Sequence, residues 1–593
     1  MNNGRSGRSA ARLLGTVVLA AGLVVSTVAC AGGGGEDTGD GGGATGDPTA
    51  GGELTVLLDA AFAGGWATGL DPATSNTTGA NLAQNSAIFG GLFTLEPDGD
   101  GGKIVENQAE SFSWSDDAKT LTVTLRDGIT FSDGTPLNAE AVLWNWIRAF
   151  DSGSTGAPRL QLDLSKPAPE LSPEFMDSLW AALPADVDKA LVEQHLGAIR
   201  IVDDLSVSIS LANVDGSLVN GFPTSSLNLI ASPSAYAELG EGAFSLAPVG
   251  AGPFIVESDK MSERLELTKN PDYFKPDLPY LDALTFQSVA GDQVAYQTLL
   301  AGQGDVIEGL SSVPLITEAE GNPDVEVHLG APTSPYVIQL NTRKPPFDDI
   351  RAREAIYYAT DFKAINTGLF KGEGELSQSF TASGGLFFNP EVDGYRTYDP
   401  EKAKQIVEEL GGLTVNLGTT DIVTARSVTT ALQTQWQEAG IDVTINAEPL
   451  GDVITRFIAG DWESLLQTAG AWDPSVGIGV SVRFGSTSPF SGAPLPEGAG
   501  SAQDALTQGL TTELDDLLRA AVATTDDDER RAAYDEIAKY ISDEAYAPFG
   551  MAFSPAQVMR AGVHGPGLDI PIPALSVNQG VLYDRVWVES GNE

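Results

Sequence analysis

Cysteine is all but missing: Cys30 is the single one in 593 residues. That rules out an internal disulfide, a cysteine-based zinc site and CxxC redox chemistry. Histidine is nearly as scarce. His195, His328 and His564 lie far apart, which argues against a histidine-rich metal site. Basic residues are few, 33 against 81 acidic ones, for a formal charge of −48. Phosphate backbones need a basic surface, so nucleic acid is excluded as a partner. The acidity serves either solubility or a cationic ligand. Catalytic signatures are also missing: there is no GxSxG, HExxH or GxxxxGK[ST]. The "GAGP" at Gly250 lacks the final glycine of a dinucleotide loop, since Ile255 stands there. The acid pairs Asp203-Asp204 and Asp515-Asp516 read as solvated surface. The expectation is therefore no catalytic residue, no metal and no cofactor. No repeat of 20 to 50 residues is present. What the chain does have is 42% hydrophobic residues and length for two to four domains of ~100–200 residues each.

The first thirty residues look like a targeting segment. Arg5, Arg8 and Arg12 form a basic start, and Leu13 to Val28 an apolar stretch. That stretch is shorter than the ~20 residues a membrane-spanning helix needs, and it fits the apolar core of a signal peptide. "TVAC" before the glycines resembles the lipobox of bacterial lipoproteins, with Thr27 where an aliphatic residue is usual. The resemblance implies cleavage after Ala29 and lipid on Cys30. An uncleaved anchor and plain secretion are the alternatives. Residues 1–29 are thus expected as a lipoprotein signal peptide. Residues 30–51, almost entirely Gly, Ala, Thr, Asp, Glu and Pro, are expected as a disordered tether. Its reach is roughly 25 Å. The folded body would sit at the extracytoplasmic face of a bacterial cell membrane.

Strand formers dominate "ELTVLL" from Glu53. In "LTVTLRDGITF", Leu121 to Phe131, two such runs flank Asp127-Gly128, which predicts a hairpin. Asn138 is placed to cap a helix from Ala139 to about Phe150. "DPEKAKQIVEELGG" carries every helix signal: Asp399 as cap, Pro400 in the first turn, Ala403, Ile406, Val407 and Leu410 on one face, and Gly411 as stop. A strand (Leu413 to Leu417), a helix (about Val423 to Ala439) and a strand (Ile441 to Ile445) follow, the order of a parallel α/β layer. Trp114, Phe131 and Val142 read as core.

Several stretches, in chain order, resemble the bacterial extracellular solute-binding proteins, family 5, the peptide- and nickel-type receptors of ABC importers. They are "GLDPAT" and "IFGGLF" near the start, then "AESFSWSDDAKTLTVTLRDGITFSDGTPLNAEAV" from Ala109. "VGAGPFIVES", "LTKNPDYFKPDLPYLDALTF" and "LLAGQGDV" follow. "LNTRKPPFDDIRAREAIYYATD", "EAGIDVTIN" and "DDERRAAYDEIAKYISDEAYAPFGM" complete the order. Ala141 departs from the usual aspartate at a position read as structural.

The resemblance implies an α/β fold of the type II periplasmic-binding-protein kind, with two hinged lobes and an inserted domain. Domain I would comprise 52–88, 232–333 and 546–593, domain II 89–231 and domain III 334–545. Ligand would be gripped between domains I and III by closure. The implied function is capture of a di- or oligopeptide and delivery to an ABC permease and its ATPase subunits, by a monomer that is no enzyme. A sugar, a metal chelate or another cationic small molecule is the alternative within the family. A membrane-tethered sensor and an unrecognised enzyme are the alternatives outside it. Peptide receptors of the family hold the ligand's amino terminus with an aspartate shortly before an acid–proline pair. Here the matching loop is "LLQTAGAWDPSVG", Leu465 to Gly477. Gly470 occupies the usual aspartate position and Gln467 the usual tryptophan position. Asp473 then either replaces the anchor, with Trp472 and Trp66 packing the apolar part of the ligand, or only makes the turn before Pro474.

Overall fold

Strand and helix positions follow the local signals closely. The structure, a computed structural model, describes residues 48–59, 66, 69–75, 81–98, 101–152, 160–470, 475–554, 556–571 and 581–589. Cys30, the signal segment and most of the tether lie outside the described residues, as do Trp472 and Asp473. Helix Ala139–Asp151 starts where Asn138 Oδ1 accepts the Ala141 amide at 3.0 Å. Helix Pro400–Glu409 starts at Asp399, whose side chain accepts from the Lys402 amide. Strands Leu413–Thr420 and Ile441–Glu448 pair in parallel through helix Val423–Glu438.

The expected hairpin across Asp127-Gly128 does not form. Strand Thr120–Leu125 pairs instead with Ala109–Trp114 and Ser206–Ser210. The run after Gly128 folds back on itself around Asp133-Gly134: Phe131 N donates to Thr135 O and Leu137 N to Ile129 O. Ile129 and Phe131 are buried there, so the run serves packing rather than a ladder.

Three large sheets organise the described residues. The first has seven strands in the order Val325–Leu329, Ala556–Arg560, Val306–Leu310, Glu53–Asp59, Ala283–Val289, Arg264–Lys269 and Phe254–Lys260. Its central strand, Glu53–Asp59, lies parallel to both Ala283–Val289 and Val306–Leu310. Four antiparallel strands between Ala109 and Ser210 make the second. The third runs Tyr336–Leu340, Ser464–Thr468, Leu413–Thr420, Ile441–Glu448. Separate apolar clusters line the two faces of the third sheet, one around Trp436 and Ile356, the other around Tyr534 and Phe549. This is a multi-domain α/β fold. Among the described residues no helix is long and apolar enough to cross a membrane, and no cluster of acids, histidines or cysteines is fit for a metal.

Candidate functional site

The chain passes between the first and third sheets twice. It leaves after Leu329 to reach Tyr336, and it returns from Phe549 to Ala556. Leu329 lies opposite Ala556 and Val337 opposite Phe549, so the two passages run side by side. Residues 377–385 are held against them: Ser377 N donates to Gly550 O (2.8 Å), Ala382 N to Thr333 O (2.9 Å) and Gly384 N to Pro332 O (2.8 Å). The parallel strands of the first sheet end at this edge, because Leu310, the last residue of its strand, faces Ala556. Open α/β sheets bind solutes beyond the carboxyl ends of their strands. The ribbon of two passages and the strand ends beside it therefore frame the candidate site.

Trp66, on the segment after the central strand, is 0% exposed. Its Nε1 donates to Asp259 Oδ1 at 2.9 Å. Burial raises the Asp259 carboxyl, and the Trp66 bond only partly offsets that. Beyond Trp66 the backbone is pinned by Asp71. Arg148 donates to both of its carboxylate oxygens, at 2.7 and 3.3 Å, with 1% and 0% of the two side chains exposed. The guanidinium lies between the Trp144 and Tyr236 rings, 4.4 and 4.2 Å from their centroids. Gly69 packs so tightly that a Cβ would fall 1.8 Å from Ser245 Oγ.

On the other side, strand Ser464–Thr468 runs into the second candidate loop. Ala469 N donates to Pro335 O at 2.9 Å, and Gly470 turns with φ 97°, which glycine adopts freely. Gln467 is tied inward, its Nε2 donating to Gln339 Oε1. Gln339 Nε2 in turn donates to Arg483 O (2.7 Å) and Phe490 O (3.0 Å). Burial pulls Arg483 down to about 10 and pushes the Tyr336 phenol up to about 12. Past the loop, Val476 is buried with φ 64°, a costly angle for a β-branched residue. Such strain is held by its surroundings. Arg530 Nη2 donates to Ser475 O at 3.3 Å, and the same guanidinium lies 4.8 Å from the centre of the Phe387 ring.

A direct contact joins the residues around Gly216 to this region. Gly216 N donates to Val522 O at 2.7 Å. A Cβ on Gly216 would sit 2.0 Å from Thr524 O, so only glycine allows the approach. Asp215 beside it is raised by burial, against the Ser217 hydrogen bonds and the Arg530 charge that lower it.

Comparison with known proteins decides the family. The model described as "Bacterial extracellular solute-binding proteins, family 5 Middle" matches residues 103–489. The chain belongs to this family. Glutathione-binding protein GsiB of Shigella flexneri is 27% identical over 65% of this family 5 chain and 68% of its own. Heme-binding protein A of Haemophilus influenzae is 25% identical over 74% and 77%. A dipeptide binding protein from Pseudoalteromonas sp. SM9913, solved with Met-Leu, superposes with TM-score 0.70 at 21% identity, covering 91% of this chain and all of its own (100%). That likeness establishes the type II periplasmic-binding-protein fold.

Of the residues picked from sequence, Gly470 thus lies beside the first passage, whereas Trp66 is buried against Asp259 on the far edge strand of the first sheet. Asp71, Arg148, Gly216 and Arg530 were not picked as functional. Arg148 did carry a signal: a lone charge inside the apolar run "AVLWNWIRAF" must be either snorkelled or paired.

Proposed function

We propose that this protein is the extracytoplasmic receptor of an ABC importer, catching a di- or oligopeptide between two lobes and delivering it to the permease without chemical change. The observation that carries the reading is the family match over residues 103–489, on a chain whose first and third sheets are joined by a two-stranded ribbon. In this reading domain I is 52–88, 232–333 and 546–593, domain II is 89–231, and domain III is 334–545. The ribbon is the hinge, and a solute stabilises the closed form by what it gains there. In this reading Asp473 meets a cationic group of the solute, Trp472 and Trp66 pack its apolar part, and Gly470 belongs to the same binding loop as Asp473. Cys30 carries a lipid that holds a monomer at the membrane. Deleting the gene and measuring uptake of labelled peptides tests the transport role, and unchanged uptake would refute it. For the anchor, a fatty-acid analogue should label wild type but not Cys30→Ala.

A non-peptide solute is the second reading. It is favoured by a relative named for heme and by a structural neighbour, AgaA, solved with agropinic acid at TM-score 0.70. Mass spectrometry of the solute that co-purifies with the protein separates the two.

A further inference from the structure

Among the described residues, Gln557 has a side-chain amide with both ends buried and unpartnered: neither Nε2 nor Oε1 makes a hydrogen bond. The residue is 0% exposed. Asn107 and Gln108, also buried, at least spend their amide nitrogens on backbone carbonyls. Buried polar groups go unpaired in roughly one case in ten or fewer, so an amide unpaired at both ends calls for a partner.

Its position says which partner. Gln557 is the second residue of Ala556–Arg560, the strand that opens where the returning passage re-enters the first sheet. It therefore stands at the edge where the parallel strands end. Ala556 and Val558 pack into the apolar cluster with Tyr296 and Leu315, while Met559 belongs to the cluster on the opposite face. Alternation along the strand puts Gln557 on the Met559 face. No neighbour bonds to it. His328, its cross-strand partner, lies 3.7 Å from Glu326, beyond hydrogen-bond reach, and its Nε2 makes no hydrogen bond. Glu308, on the adjoining strand, accepts from Tyr583 Oη at 2.8 Å. Two more inaccessible hydroxyl oxygens near the passages make no hydrogen bond, Ser334 Oγ on a half-buried residue and Thr381 Oγ1 on a buried one. All three are uncharged, and each can both donate and accept. A peptide group, with one N–H and one C=O, matches a carboxamide in the same two roles.

We propose that Gln557 contacts the bound solute, pairing its side-chain amide with a backbone amide of the peptide, and that Ser334 and Thr381 extend this uncharged polar track along the ribbon. The inference rests on the peptide reading above and names the part of the ligand that is read.

The test uses the purified full chain, wild type and Gln557→Leu, with trialanine and its ester analogue as probes in calorimetry and native mass spectrometry. Leucine removes an unpaired buried amide, so the solute-free variant should melt no lower than wild type. Its affinity for trialanine should nevertheless fall at least tenfold, about 1.4 kcal/mol. Replacing one amide of trialanine by an ester should weaken wild type and leave the variant unmoved. Equal trialanine affinity in both proteins would overturn the proposal and assign the amide to a buried water. A lower melting point together with lost affinity would overturn it too, as a folding role. If wild type takes no trialanine, the peptide reading fails by itself. Occupancy by the solute retained from the cells then decides Gln557: equal occupancy in both proteins overturns the contact, and a loss in the variant supports it.

Discussion

Arg148→Met should be among the most damaging single substitutions in the first sheet's neighbourhood. The change leaves the Asp71 carboxylate, 0% exposed, without its counter-charge. Removing one partner of a buried ion pair costs about 3–5 kcal/mol. The guanidinium also fills the gap between Trp144 and Tyr236, and a desolvated cation–ring contact adds about 2 kcal/mol, part of which the methionine recovers by packing. A typical domain is stable by only ~5–15 kcal/mol, so the loss takes a large share. Arg148→Lys should fall between the two, since it keeps the charge but loses the fork that reaches both Asp71 oxygens. Asp71→Asn combined with Arg148→Met should recover most of the loss, because no charge is then stranded. Urea unfolding followed by tryptophan fluorescence measures all four proteins. If Arg148→Met lies within 1 kcal/mol of wild type, Asp71 is not a buried, paired charge and the reasoning is wrong.

Gly216→Val should weaken solute binding severalfold without touching the solute, because its side chain would overlap Thr524 and remove the approach to Val522. Small-angle scattering should show solute-driven compaction in wild type and less in the variant, and equal compaction would dismiss the contact as a closure element. Asp259→Asn tests a half-buried acid. Its carboxyl titrates above the ordinary 3.8, so its charged form destabilises the fold as pH rises through the folded value. The asparagine variant should melt higher than wild type at pH 7, with the gain vanishing as pH falls toward 3.8, and a gain independent of pH would contradict this. Asp473→Ala should weaken a cationic solute by at least ~30-fold, the low end of about 2–5 kcal/mol for truncating a buried charge pair. Calorimetry showing less than a threefold change would remove Asp473 from the site.

Much of this molecule is legible in its residues alone, where short-range rules act. Asn138 and Asp399 cap helices because a side-chain oxygen two or three residues away is the nearest acceptor for a free amide. Strand–helix–strand from Leu413 to Glu448 follows from periodicity and short links. The family too can be read from the order of its motifs. Tertiary structure decided the rest, because it turns on which distant residues share a buried space. Asp127-Gly128 has the chemistry of a hairpin, yet two other strands offered Thr120–Leu125 longer ladders, while Ile129 and Phe131 gained more by burial. Asp71 and Arg148 are 77 residues apart, and nothing local says that they meet. Gln557 looks ordinary in "AQVMR", and only the sheet around it encloses its amide. A charge or an amide costs little in water and several kcal/mol when buried unpaired. Which of the two applies is set by long-range packing, and no local pattern encodes it.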